Sequence, residues 1–422
     1  MRSVRVFRRL LGVERTVIES VDLVVEDGEE VVVARVRPDR YARSRCSRCS
    51  RCGRRCPRDG AGTGQRRWRT LDLGTVRAYL VADTHRIDCA EHGSVIAAVP
   101  WARPGGRHSY AFEDTCAWLA AHAPGSVVSQ MLRVSWRTVN GIVTRVVADL
   151  AGKTDQLDGL RRIGIDEIAH RKGHRYLTVV VDHDTGRLVW AAPGRDSETL
   201  ERFFDALGPK RSRQLRHVSA DGAEWIHTVV RARAKNAKLS LDPYHVVAWA
   251  TKALDEVRRG LWNELRGQGK GGQAASLKGT RWALLKNPED LTGEQRTTVA
   301  HIAVTNKGLY RAYLLKEQLR MVFQVRGRKG RQLLAGWLAW AKRSRLPAFV
   351  KLAKTIETYR DLIWNAISRR GISNARVEAT NTHLRVLTRR SYGFHTPEAL
   401  IAMAMLTRGG LRPELPGRAA AA

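Results

Sequence analysis

The sequence predicts a mixed α/β domain with a large all-helical insertion, preceded by a small zinc-binding β module and a helix-turn-helix. Three observations carry that expectation. Cysteines crowd into an arginine-rich stretch near the N-terminus, and a Cys-x-x-His pair follows. Short apolar segments, some ending in acids, alternate with helical patterns over residues 162–245. From there to residue 370 the apolar spacing is helical almost throughout.

Taken in order, a short amphipathic stretch opens the chain. Val24, Val25 and Val31 to Val33 then flank Glu26-Asp27-Gly28, which reads as a β-hairpin. From Arg35 to Arg69 there are thirteen arginines against two acids, Asp39 and Asp59, which reads either as a solvated arm or, more sharply, as a phosphate-contacting surface. Strand-like segments follow at residues 76–82 and 84–88. Phe112, Cys116, Leu119 and Ala120 mark a helix, and Ala123-Pro124-Gly125-Ser126 ends it. A short helix over 127–132 and a longer one from Ser135 to about Leu150 come next. Residues 163–166, 176–181 and 187–191 predict three antiparallel strands, with His183-Asp-Thr-Gly186 as the hairpin turn. Helices near 197–207 and 225–234 then alternate with strands at 216–220 and 238–241. In the helical stretch, Phe349, Leu352, Ile356, Tyr359, Ile363 and Ile367 fall on one face of a single expected helix. Gly371 is its expected cap, with Ser373 or Asn374 starting the next helix.

Composition narrows the function. The chain has 422 residues, with Lys plus Arg at 74 and Asp plus Glu at 41, a net charge of +33. A polyanion is the expected partner, and an acidic small-molecule enzyme is excluded. No run of about 18 apolar residues exists to cross a membrane, and no secretory signal pattern is visible. Four cysteines (Cys46, Cys49, Cys52 and Cys56) within eleven residues, with no export signal, point to metal binding in a reducing cytoplasm.

Four constellations carry chemistry. Cys49-x-x-Cys52 and Cys89-x-x-His92 are expected to hold one Zn²⁺, since each short knuckle supplies two tetrahedral N/S ligands. Cys46 and Cys56 compete for the first pair. In the helix-turn-helix, Trp136, Arg137, Asn140, Thr144 and Arg145 are the expected DNA-reading positions, because Arg and Asn match guanine and adenine edges. Asp166 and Asp221 end apolar strands, and Glu378 lies on a late helix. Such acids are costly to leave unpaired, and together they offer hard oxygen ligands for two Mg²⁺ ions. Glu378, Asn381, Thr382 and Arg385 share one helix face, which places Arg385 to hold a phosphate. Finally, Asp242 and His245 are three residues apart at a strand end; they either orient a reacting group or, more simply, Asp242 caps the next helix.

These stretches resemble the ISL3 family of bacterial insertion-sequence transposases. Ile163-Gly-Ile-Asp-Glu-Ile, Val218-Ser-Ala-Asp, Asp242-Pro-Tyr-His-Val-Val, Arg376-Val-Glu-Ala-Thr-Asn-Thr, Cys89-Ala-Glu-His-Gly and Leu309-Tyr-Arg-Ala-Tyr-Leu-Leu-Lys-Glu carry the likeness, which spans residues 40–408. The resemblance implies a zinc finger, a helix-turn-helix and an RNase H-like DDE domain with a helical insertion. It makes Asp166, Asp221 and Glu378 the three catalytic acids, places Arg385 where many such enzymes have a basic residue, and matches Asp242 and His245 to an Asp-x-x-His element.

The expected division is 1–105 for the β and zinc module, 106–155 for the helix-turn-helix, 156–245 and 371–410 for the catalytic domain, 246–370 for the insertion and 411–422 for a disordered tail. The expected activity is binding of terminal inverted repeats, metal-dependent strand cleavage and strand transfer to target DNA. The partners are double-stranded DNA and further copies of the chain, a dimer or larger, in the bacterial nucleoid and away from any membrane. A non-catalytic DNA-binding regulator explains the charge but not the strand-ending acids. A nuclease without strand transfer is the third reading.

Overall fold

A computed structural model describes residues 2–48, 55–171, 173–325, 327–368, 375–391 and 393–418. The chain forms two compact units: residues 1–156 with 384–422, and residues 157–383.

The first unit opens with α1 (Arg2–Leu10). A sheet follows, built from β1 (Thr16–Glu26), β2 (Glu29–Pro38), β3 (Arg58–Leu73), β4 (Val76–Cys89) and β5 (Gly93–Ile96). The strand order is β1-β2-β4-β3, with β5 pairing β4. Asp27 and Gly28 both have positive φ (48° and 80°), the primed turn that matches strand twist. The expected arginine-rich arm is corrected over β3, a sixteen-residue strand antiparallel to β4. On this strand Arg69 is buried and Arg66 half-buried, whereas Arg58 and Arg67 stay exposed on the sheet. Arg67 donates to Glu26 at 2.8 Å and stacks 3.5 Å from the Tyr79 ring centroid, and Arg69 donates to Asp72 at 2.6 Å. Trp68, Leu80 and Trp101 fill the core beneath.

Three helices follow: α2 (Tyr110–His122), α3 (Gly125–Leu132) and α4 (Trp136–Ala151). Ser109 and Ser135 cap α2 and α4 by accepting from the Phe112 and Thr138 N–H groups. Arg133 takes the left-handed conformation that turns the chain between α3 and α4.

The second unit holds a mixed sheet of β6 (Arg162–Arg171), β7 (Arg175–Asp182), β8 (Leu188–Pro193), β9 (His217–Ala220) and β10 (Lys238–Leu241). The order is β10-β9-β6-β7-β8. β6, β7 and β8 are antiparallel neighbours, whereas β9 and β10 run parallel to β6. The crossovers are α5 (Ser197–Ser212), kinked at Gly208 and Pro209, and α6 (Glu224–Arg233). Alternation along β6 turns Ile163 and Ile165 into the core with Phe203 and Phe204 of α5. Gly164 and Asp166 therefore share the opposite face.

The insertion comprises α7 (Pro243–Gly267), α8 (Gly271–Gly279), α9 (Arg281–Leu285), α10 (Gly293–Thr305), α11 (Lys307–Gln324), α12 (Gly327–Arg343), α13 (Pro347–Thr358) and α14 (Arg360–Ser368). Its core (Leu319, Trp337, Phe349 and Ile356) is continuous with that of the sheet. The single helix expected through residue 367 is in fact two, broken at Tyr359. Its apolar spacing runs on across the break, so periodicity alone did not reveal it. The expected cap at Gly371 and helix start at Ser373 or Asn374 lie outside the described residues.

α15 (Ala375–Arg390) begins in the second unit, and the unit boundary falls within it after His383. In the first unit, α16 (Pro397–Arg408) packs on α4 and α2. The tail expected to be disordered from 411 instead buries Leu411, whose N–H donates to the Met405 carbonyl. No described helix is long and apolar enough to cross a membrane.

Candidate active site

Gly164 sets the approach on which the site depends. A Cβ there would lie 2.4 Å from Val377 Cγ2, so α15 rests directly against β6. That contact brings Asn381, one turn beyond Val377, onto Asp166: its amide donates to Asp166 Oδ2 at 2.7 Å. The other oxygen, Oδ1, accepts from the Glu167 N–H at 2.7 Å. Asp166 is 8% exposed. Burial raises its carboxyl above the usual range, and the Asp221 charge adds to the rise.

Asp221 follows the last residue of β9 and accepts from the Ala223 N–H at 3.0 Å. Asp242 follows β10. Its Oδ1 caps α7 by accepting from the Tyr244 N–H at 3.2 Å, while Oδ2 stays buried without a hydrogen bond, 3.9 Å from His245 Nε2. One oxygen of Asp242 thus caps α7, as the simpler reading expects, and the other lies buried beside His245. Burial, with the charges of Glu378 and Asp166, pushes its pKa up to about 6. These mutual influences show that Asp166, Asp221, Asp242, His245 and Glu378 converge in one place. Arg385 is exposed two turns along α15 from Glu378, past the unit boundary.

Two members escaped the sequence reading. Asn381 was visible only as a neighbour of Glu378 on a helix face. Glu167 pairs with Arg195 and is pushed up to about 7 by burial and then by Asp221. Its adjacency to Asp166 was the available signal.

The donor set suits hard divalent cations. Buried Glu378 Oε1, Asn381 Oδ1, Asp242 Oδ2 and Glu167 Oε1 have no hydrogen-bond partner. Clustered carboxylates with raised pKa values are the arrangement that a bound cation relieves.

A softer donor group lies in the β module. Cys46 Sγ, Cys89 Sγ and a His92 ring nitrogen lie within 4.8 Å of one another, with each sulfur 3.7 Å from His92 Nδ1. The Arg48 N–H points to Cys46 Sγ at 3.4 Å. The His92 contact, followed by a backbone N–H, lowers the Cys89 thiol to about 6. Cys46 is thus the described cysteine that joins Cys89 and His92. The expected ligands Cys49 and Cys52 lie outside the described residues. Cys56 packs half-buried beside the group.

On α4, Arg137 and Thr144 are exposed and Asn140 is half-buried. The Thr144 hydroxyl donates to the Asn140 carbonyl. Trp136 and Arg145 are engaged inside the bundle. A Cβ on Gly125 would lie 1.9 Å from the Trp136 ring, and Arg145 Nε donates to buried Glu113 at 2.8 Å. Arg103 joins the same network, reaching Asp114 at 2.6 Å and Asp149 at 2.9 Å.

Comparison with known proteins supplies three family matches. Residues 163–404 match a DDE domain of the ISL3 group described as "Transposase". Residues 97–147 match the helix-turn-helix domain of transposase family ISL3, and 46–92 match the zinc-finger of transposase IS204/IS1001/IS1096/IS1165. The chain is 52% identical over 440 residues to the transposase for insertion sequence element IS1557 from Mycobacterium tuberculosis, covering 99% of this chain and 98% of that protein. It is 29% identical over 351 residues to the transposase for insertion sequence element IS1001 from Bordetella parapertussis, covering 82% and 85%.

Proposed function

The chain belongs to the ISL3 family of transposases, and on that premise we propose that it cuts and rejoins DNA at an RNase H-like centre formed by Asp166, Asp221 and Glu378. The convergence of these acids beside buried, unpartnered oxygens is the observation that carries the proposal. An RNase H-like assignment is supported by the order of the sheet, three antiparallel strands followed by two parallel ones reached through helices. The comparisons favour the transposase over the non-catalytic regulator.

Two Mg²⁺ ions held by the three carboxylates would stabilise the entering and leaving oxygens of an in-line displacement. Asn381 fixes the orientation of Asp166. The pair Asp242 and His245 holds a proton or a phosphate oxygen at the rim. Water attacks the phosphodiester at the element end and the 3′-oxygen leaves. The freed 3′-hydroxyl then attacks a target phosphate, displacing the 3′-oxygen of that strand. Arg137, Asn140 and Thr144 face the terminal repeat, and Arg385 contacts DNA backbone. Zn²⁺ would be held by Cys46, Cys89 and His92, which supply soft N/S donors to a structural site. Joining two ends calls for a dimer or larger assembly on DNA.

The test is a duplex carrying the element's own ends, incubated with Mg²⁺ and the purified chain or its Asp221→Asn variant. Boundary nicks that the variant loses, followed by joining to a second duplex, are the expected result. End binding without nicking in Mg²⁺ or Mn²⁺ would return the regulator, and nicking without joining would leave a nuclease.

A further inference from the structure

Asp221 is a loop residue, and its backbone is held by side chains outside the set described above. His227 of α6, fully buried, donates from Nε2 to the Asp221 carbonyl at 2.8 Å. The Tyr359 hydroxyl reaches the next carbonyl, that of Gly222, at 3.4 Å. Tyr359 occupies the break between α13 and α14. Its ring meets His227 edge-on at 5.8 Å between centroids and lies at the same distance from Trp249 of α7. Trp249 closes the shelf. A Cβ on Gly222 would come within 2.8 Å of its Cζ2, so only glycine lets the loop lie down on the indole.

We propose that Trp249 and Tyr359 of the helical insertion, with His227, are positioning residues that set the Asp221 carboxylate, so that the α13–α14 break controls how tightly the site loads its divalent cation. The inference rests on the assignment of Asp221 as a metal ligand. Its physical basis is that a loop carboxylate has little intrinsic rigidity, and losing a group that orients a metal ligand typically costs about 10- to 100-fold in affinity or activity. An otherwise continuous apolar helix face is interrupted at the one residue that touches this loop. In this way the insertion contributes to the chemistry without supplying a ligand.

The test uses the full chain and four variants: Tyr359→Leu, Tyr359→Phe, Gly222→Ala, and Gly222→Ala combined with Trp249→Leu. Mn²⁺ binding is measured by titration calorimetry, and the Mn²⁺ concentration for half-maximal nicking is read in parallel. Tyr359→Leu and Gly222→Ala are expected to weaken binding roughly 10-fold or more. Tyr359→Phe, which keeps the ring, should lose far less. The double variant removes the atoms that the new Cβ would strike but also one wall of the shelf, so it should recover part, not all, of the affinity lost by Gly222→Ala. Wild-type Mn²⁺ affinity in both Tyr359→Leu and Gly222→Ala would overturn the shelf. If Tyr359→Leu does not fold, Gly222→Ala and its rescue decide alone. A wild-type chain that binds Mn²⁺ no better than Asp221→Asn would overturn the assignment of Asp221 instead.

Discussion

At the scale of single residues, the hydrogen bond from Asn381 to Asp166 separates placement from chemistry. Asn381→Ala leaves every carboxylate present but frees Asp166 to rotate. Nicking should fall roughly 10- to 100-fold while binding to the element ends is unchanged, as gel-shift and nicking assays on the same preparation would show. A second residue sets a pH dependence. His183 is buried, its Nε2 is 2.6 Å from Ser219 Oγ, and its pKa is lowered to about 4, mainly by burial with Arg376 and Arg162 adding to the effect. Between that value and the ordinary pKa of about 6.5, the unfolded chain binds a proton that the folded chain refuses. The contribution of His183 is therefore complete above pH 6.5 and is lost as pH falls through this window. It amounts to roughly 3–4 kcal/mol at about 1.4 kcal/mol per pH unit. Denaturant melts at stepped pH should show the loss, and His183→Gln should flatten it. Asp166 and Asp221 stood out as candidates because acids at the ends of apolar strands are conspicuous in a sequence, whereas Glu167 beside Asp166 did not. Nor did Cys46, since four cysteines at similar spacing offer interchangeable pairs and only the fold brings Cys46 to Cys89 and His92. Arg145 misled for a related reason: an amphipathic position does not disclose a buried Glu113 thirty-two residues upstream.

At the scale of elements, α4 divides its work between reading and bracing. Arg137→Ala should weaken binding to the terminal repeat by about 1–3 kcal/mol with little change in melting temperature. Arg145→Ala should instead destabilise the bundle, because Glu113 is then buried with one guanidinium fewer. Fluorescence anisotropy and thermal melts on both variants distinguish the two roles. The zinc group makes a similar statement about the β module: Cys46→Ser should remove the one bound zinc, measured by metal analysis, and loosen the β4–β5 hairpin that carries Cys89 and His92. Helices and strands with a clean apolar period were legible in advance. β3 was hidden because its arginines spend their length on Tyr79 and on acids of the same sheet, which residue counting does not register. The break at Tyr359 was hidden because neither glycine nor proline marks it.

At the scale of the whole molecule, the +33 charge predicts how the protein meets DNA. If about 6–10 phosphates are engaged, affinity should drop by roughly 10³–10⁵ between 50 and 200 mM salt. Substitutions at Arg137 should leave that slope within about one unit of the wild type. The path of the chain has a further consequence. α16, which is built from the last stretch of described sequence, braces α4 and α2, whereas residues 157–383 fold as a separate body in between. During synthesis α2 and α4 therefore leave the ribosome long before α16 does, and the whole of residues 157–383 is already made when α16 arrives. A chain ending before residue 384 lacks α16 and the packing it gives to α4 and α2. Interleaving the two units thus makes the full packing of α4 depend on a chain that has been made as far as α16.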